Sequence, residues 1–198
     1  MSEGNNQLSN QTGRRGFLRG TLQVAAVAGA SSVAPSAFGS ALTAPTYGPE
    51  RRLHLVNAHT WEKLDIVYWA EGQYLTQSMN QINHLMRDHR ADEATVMDPK
   101  LIDDLHRLYT LLDTDERMHI LSGYRTEATN AKLRTRSNGV AKFSLHMEGR
   151  ALDISMPGRT AKQIQKAALT MKSGGVGYYA SSGFVHIDTG NVRRWQQG

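Results

Sequence analysis

The sequence predicts an α+β fold, with helices packed on a small antiparallel β-sheet. Three observations carry that expectation. Leu101, Ile102, Leu105, Leu108, Tyr109 and Leu112 recur at helical spacing. Short strand-like segments cluster late, at 151–155, 176–179 and 184–188, with turn residues 180–183 between the last two. No repeat or long linker interrupts residues 42–198, so the elements belong to one domain.

In chain order, 53–57 and 64–69 read as two strands of a hairpin. Leu75, Met79, Ile82, Leu85 and Met86 share one helical face, giving a helix over about 75–87. Asp98-Pro99 supplies an N-cap and a first-turn proline for the clearest helix, which follows directly. A short strand at 118–121 ends in Ser122-Gly123-Tyr124-Arg125. A helix over about 127–135 and a glycine-containing loop, 137–144, come next. The strand 151–155, a helix over 161–171 and a closing hairpin complete the domain.

The 198 residues include no cysteine, which excludes disulfides, thiolate metal ligation and a cysteine nucleophile. No apolar run reaches the roughly 18–20 residues of a bilayer span, so no stable membrane span is expected. The net charge of +5 invites a nucleic-acid reading. Residues 1–40 hold three basic residues and one acidic one, and the remainder carries 20 basic against 17 acidic with the signs interspersed. No basic block alternates with aromatics, so a nucleic-acid partner is not expected. An acidic polymer such as cell wall suits the mild positive balance equally well.

Residues 1–41 are expected to be an address. Gly13-Arg14-Arg15-Gly16-Phe17-Leu18-Arg19 precedes a mildly apolar stretch, 21–33, and then small residues around Ala37 to Ala41. Charge, short apolar run and small residues make an export signal. The paired arginines followed by Phe-Leu resemble a twin-arginine signal, which implies a periplasmic or extracytoplasmic protein.

Three segments carry chemistry: Ser122 to Arg125, Ser144 to Asp153, and Phe184 to Asp188. Neutral imidazole and carboxylate suit zinc, and three protein ligands with one open position is the catalytic arrangement. His146 ends a loop, Asp153 lies on the strand that follows, and His186 can project from a neighbouring strand. Gly149 and Ala151 are small enough to let that backbone pass close to a metal. An iron site with two histidines and a carboxylate is equally open on ligand type. Arg125 could bind a substrate carboxylate or a developing oxyanion. Asp188 could orient a ligand imidazole or accept a proton from water. The other histidines, His54, His59, His84, His89, His106 and His119, are assigned to surface or packing.

The run Ser144-x-His146-x-x-Gly149-x-Ala151-x-Asp153 resembles the first metal motif of the zinc peptidases grouped with D-Ala-D-Ala carboxypeptidases, lysostaphin and sonic hedgehog, and His186 matches their final ligand. Within that group the chain is most similar to the murein endopeptidase K group. The shared segments are the first hairpin, Asp98-Pro99, Ser122 to Thr126, Ser144 to Asp153, Gly174 to Tyr179 and Phe184 to Gly190. The resemblance implies zinc held by His146, Asp153 and His186, assistance from Arg125, and hydrolysis of cross-links between peptidoglycan stem peptides, including those joining two diaminopimelate residues. A D,D- or L,D-carboxypeptidase on the same scaffold and a non-catalytic wall-binding module are the alternatives. Many wider-family members carry a base, Glu three residues or His two residues before the last ligand. Gly183 and Phe184 stand there, so Asp188 is the first candidate for the base, with Glu148 or a distant histidine behind it.

Overall fold

The computed structural model describes residues 49–137 and 139–198, so the expected export signal at 1–41 lies outside the described residues. The strands are β1 (Arg51–Asn57), β2 (Lys63–Ala70), β3 (Gln73–Tyr74), β4 (Met118–Ser122), β5 (Ala151–Ser155), β6 (Gly175–Tyr179), β7 (Phe184–Asp188) and β8 (Arg193–Gln197). The helices are α1 (Thr76–Leu85), α2 (Pro99–Leu112), α3 (Glu127–Arg134) and α4 (Ala161–Met171), with a 3-10 turn at Leu145–Glu148.

All eight strands form one sheet in the order β3-β2-β1-β4-β5-β7-β6-β8. The α+β class holds, but the expected small antiparallel sheet is corrected on two points. The first hairpin joins the late strands in one sheet because β1 pairs with β4, and that pairing is parallel. At the other edge β8, not expected as a strand, pairs with β6, again in parallel.

The amphipathic helices form where their apolar stripes predict. Asp98 caps α2 by accepting from the Lys100 amide at 2.9 Å, and Pro99 occupies the first turn. On α4, Thr160 and Gln163 exchange bonds in a capping box. Caps of this kind are worth about 1 kcal/mol each. The core holds Leu101, Leu105 and Leu108 of α2, Ile164 and Ala168 of α4, and Leu53 and Leu55 of β1.

Strand alternation then sorts the site from the core. Leu152 and Ile154 of β5, with Val185 and Ile187 of β7, belong to the hydrophobic core. Asp153 and His186 therefore face the other side of the sheet from that core, and in the register of β5 and β7 they lie directly opposite one another.

Candidate metal centre

The segment around His146 is anchored by backbone. Ser144 accepts from the His146 amide to start the 3-10 turn. Gly149 ends it at φ +67°, a conformation that disfavours side chains. A Cβ there would meet the Val96 carbonyl at 2.6 Å, so Gly149 is required by its turn and by the chain before α2, rather than by closeness to a metal. The Asp98 amide donates to the Gly149 carbonyl and the Arg125 amide to that of His146, which ties the turn to both flanking segments.

Three donor atoms converge. His146 Nε2, Asp153 Oδ1 and His186 Nδ1 are separated by 3.4, 2.9 and 3.3 Å around the triangle. Tetrahedral zinc at about 2.0–2.1 Å from nitrogen or oxygen needs ligand separations of about 3.3–3.4 Å. All three residues are buried, as free carboxylates and imidazoles seldom are. The donor set fits zinc, and it equally fits other divalent ions that take imidazole and carboxylate.

The nitrogens turned away from the triangle are both held. His146 Nδ1 donates to the Gly123 carbonyl at 2.8 Å, leaving a lone pair on Nε2. His186 Nε2 donates to Asp188 Oδ2 at 3.0 Å, leaving one on Nδ1. Burial lowers the His146 pKa and keeps the ring neutral, the form a metal needs. Burial opposes ionisation of Asp153, yet the His146 and His186 imidazoles outweigh it and hold its pKa well below the usual carboxylate range. For His186 burial is outweighed in the same way by Asp153 and Asp188, and its pKa is raised.

Asp188 lies behind the His186 ring. Its Oδ2 meets His186 Nε2 and Arg193 Nη2, and its Oδ1 accepts from the Gly175 and Gly190 amides and from Arg193 Nη1. These donors outweigh burial and keep its pKa far below normal. Of the two roles considered for Asp188, the geometry is that of orienting the imidazole. Arg125 sits beside Asp153, with Nη2 at 2.6 Å from Oδ2 and Nε on Ser122 Oγ at 2.8 Å, so it holds the carboxylate with Oδ1 turned to the triangle. Glu148 is half exposed and paired with Arg150. His54 pairs with Asp65, and His59 stacks on His89; the six remaining histidines are not among the residues lining the cleft.

That cleft, of about 430 Å³, opens over the triangle. Ser137, residues 139–141 and residues 143–145 contribute one wall, and Tyr179, stacked on Phe184 at 4.4 Å, contributes to another. Sequence reasoning missed Arg193, Trp195 and the role of the Gly123 carbonyl. Trp195 stands 5.2 Å from the His186 ring, over Gly177, where a Cβ would come within 2.5 Å of the indole. Glycines two apart in a strand signal such close approach, and Gly175 and Gly177 carried that signal.

A family profile described as peptidoglycan L,D-endopeptidase MepK matches residues 46–195. The chain belongs to the MepK peptidase family. The peptidoglycan L,D-endopeptidase MepK of Escherichia coli is 41% identical over 177 residues, covering 89% of this chain and 96% of the relative. A probable peptidoglycan L,D-endopeptidase MepK of Haemophilus influenzae is 32% identical over 176 residues, covering 88% and 93%. No solved structure matches the chain. Among the described residues no helix is long and apolar enough to cross a membrane, and MepK membership accords with the α+β architecture and the candidate His and Asp group.

Proposed function

We propose that this chain is a zinc-dependent peptidoglycan L,D-endopeptidase, exported through the twin-arginine signal at 1–41 and acting outside the cytoplasm as the domain 42–198. The carrying observation is the triangle of buried donors whose outward nitrogens are each fixed by a hydrogen bond. The printed activity of the E. coli relative supplies the substrate class.

His146 Nε2, Asp153 Oδ1 and His186 Nδ1 would hold the metal. When bound, zinc lowers the pKa of water to about 7 and polarises a carbonyl. The chain's own groups do the rest. Asp188 and the Gly123 carbonyl fix the two imidazole tautomers. Arg125 orients Asp153 and places positive charge on the cleft wall, where charge develops on the attacked carbonyl oxygen. Asp153 is the one carboxylate among the described cleft-lining residues; Arg125 engages its Oδ2, and its Oδ1 would be a metal ligand. No second carboxylate among the described cleft-lining residues is free to take a proton from water, so that proton would pass to solvent or to the leaving amine.

The test is mass spectrometry of cross-linked muropeptide dimers incubated with the protein, with zinc and with a chelator. Chelator-sensitive conversion to monomers is expected. Monomers shortened by one residue would mark a carboxypeptidase, and binding to sacculi with no product would mark a wall-binding module.

A further inference from the structure

Charge around the cleft is one-sided. Asp153, the one carboxylate among the described cleft-lining residues, is matched by Arg125 at 2.6 Å, and Asp188, behind the His186 ring, is matched by Arg193 at 2.7 Å. Beyond them, residues 128–147 carry Lys132, Arg134, Arg136 and Lys142 and no Asp or Glu. All four are exposed, and among the described residues no carboxylate forms an ion pair with any of them.

This segment is also a wall of the cleft, which it lines through Ser137, Val140 and Phe143. Buried Asn130 fastens it, its amide donating to the Ala141 and Lys142 carbonyls at 3.1 and 3.4 Å. Phe143 is 83% exposed, with the Lys142 ammonium 5.3 Å from its ring. Cations at a helix C-terminus complement its dipole, which accounts for Lys132 and Arg134 on α3. It does not account for Lys142, at the far end of the loop.

We propose that this cationic wall is the subsite for the free carboxylates of the stem peptide, governing binding and association rather than the chemical step. The inference rests on the function proposed above and names what that substrate must carry. The four cations do not line the cleft themselves but sit on the segment that forms one of its walls, and such charges act over a Debye length of about 8 Å and raise encounter rates for an anionic ligand. The exposed Phe143 offers the aliphatic part of the same ligand an apolar contact.

The protein contains its own control. Lys162, Lys166 and Lys172 also form no ion pair among the described residues, but they belong to α4 and its C-cap. That helix packs on the core face of the sheet, away from His186. The experiment compares Arg134→Gln/Arg136→Gln/Lys142→Gln with Lys162→Gln/Lys166→Gln/Lys172→Gln in the zinc-loaded full chain. Calorimetry measures binding of a dimer made uncleavable by N-methylation of its scissile amide, and kinetics on the cleavable dimer give KM and kcat, both at low and high salt.

The loop variant is expected to bind about tenfold more weakly, with KM raised about tenfold, kcat nearly unchanged and a flatter salt dependence. A dimer with its free carboxylates amidated should not distinguish it from wild type. Unchanged binding and KM, or an equal loss in the α4 variant, would overturn the inference. A wild type that binds the dimer in this loop-dependent way without cleaving it would sink the endopeptidase reading and leave the subsite standing; one that does neither overturns both.

Discussion

Arg193 grips both oxygens of Asp188, with Nη1 3.0 Å from Oδ1 and Nη2 2.7 Å from Oδ2. Asp188 in turn accepts from His186 Nε2, so an arginine at the sheet edge sets the orientation of an imidazole inside the site. Asp188→Asn would offer an amide where a carboxylate accepts five bonds, and Arg193→Ala would release it. Both should weaken zinc binding about 10- to 100-fold, read by competition with a chromophoric chelator. Wild-type affinity in both variants would remove this chain of contacts from the site.

Gly123→Ala should act without touching a ligand. A Cβ there would meet the Met86 carbonyl oxygen at 2.2 Å, so the backbone must shift. The carbonyl that fixes the His146 tautomer belongs to the same residue. The expected results are a loss of about 1–3 kcal/mol in chemical denaturation and weaker zinc retention. A variant as stable as wild type would show that the close approach relaxes freely.

Asp88 provides a pH-dependent prediction away from the candidate metal centre. Burial opposes its charge, but hydrogen bonds from Thr129, Thr126 and Arg90 outweigh it and lower the pKa from the ordinary 3.8. A carboxyl depressed in the folded state stabilises above its unfolded pKa, and that contribution is lost as pH falls through the folded value. Asp88→Asn should therefore cost about 1–3 kcal/mol at neutral pH, and the gap from wild type should narrow below about pH 4. Melting curves at both pH values check this; a constant gap would assign the cost to packing.

Asn130→Ala removes the amide that pins the cleft wall at Ala141 and Lys142. KM should rise several-fold with kcat less affected, and residues 139–143 should become the first site of limited proteolysis. An unchanged cleavage pattern would show that the loop is held by its other contacts.

Much of this structure was legible in the chain, and the gaps have physical causes. The helix α4 matches its expected bounds because an apolar stripe and a Thr160 cap coincide, and β7 does because Val185 and Ile187 alternate with polar neighbours. The strand β8 shows no such alternation. Arg193, Arg194, Gln196 and Gln197 are exposed, and Trp195 alone is half-buried, so neither period appears. The two parallel pairings join segments far apart in sequence, and local patterning is silent on which strands meet. At the site, the positions of His146, Asp153 and His186 followed from residue type and motif. Arg193 did not, because its role exists only once β8 lies beside β6.

Since Asp153 and His186 occupy facing positions on β5 and β7, sliding one strand past the other by a single residue would turn one of them to the core face. A misthreaded sheet could therefore be compact and still present an incomplete set of donors. Uptake of the ion would then work as proofreading, trapping the molecules whose strands have aligned correctly and leaving the others empty.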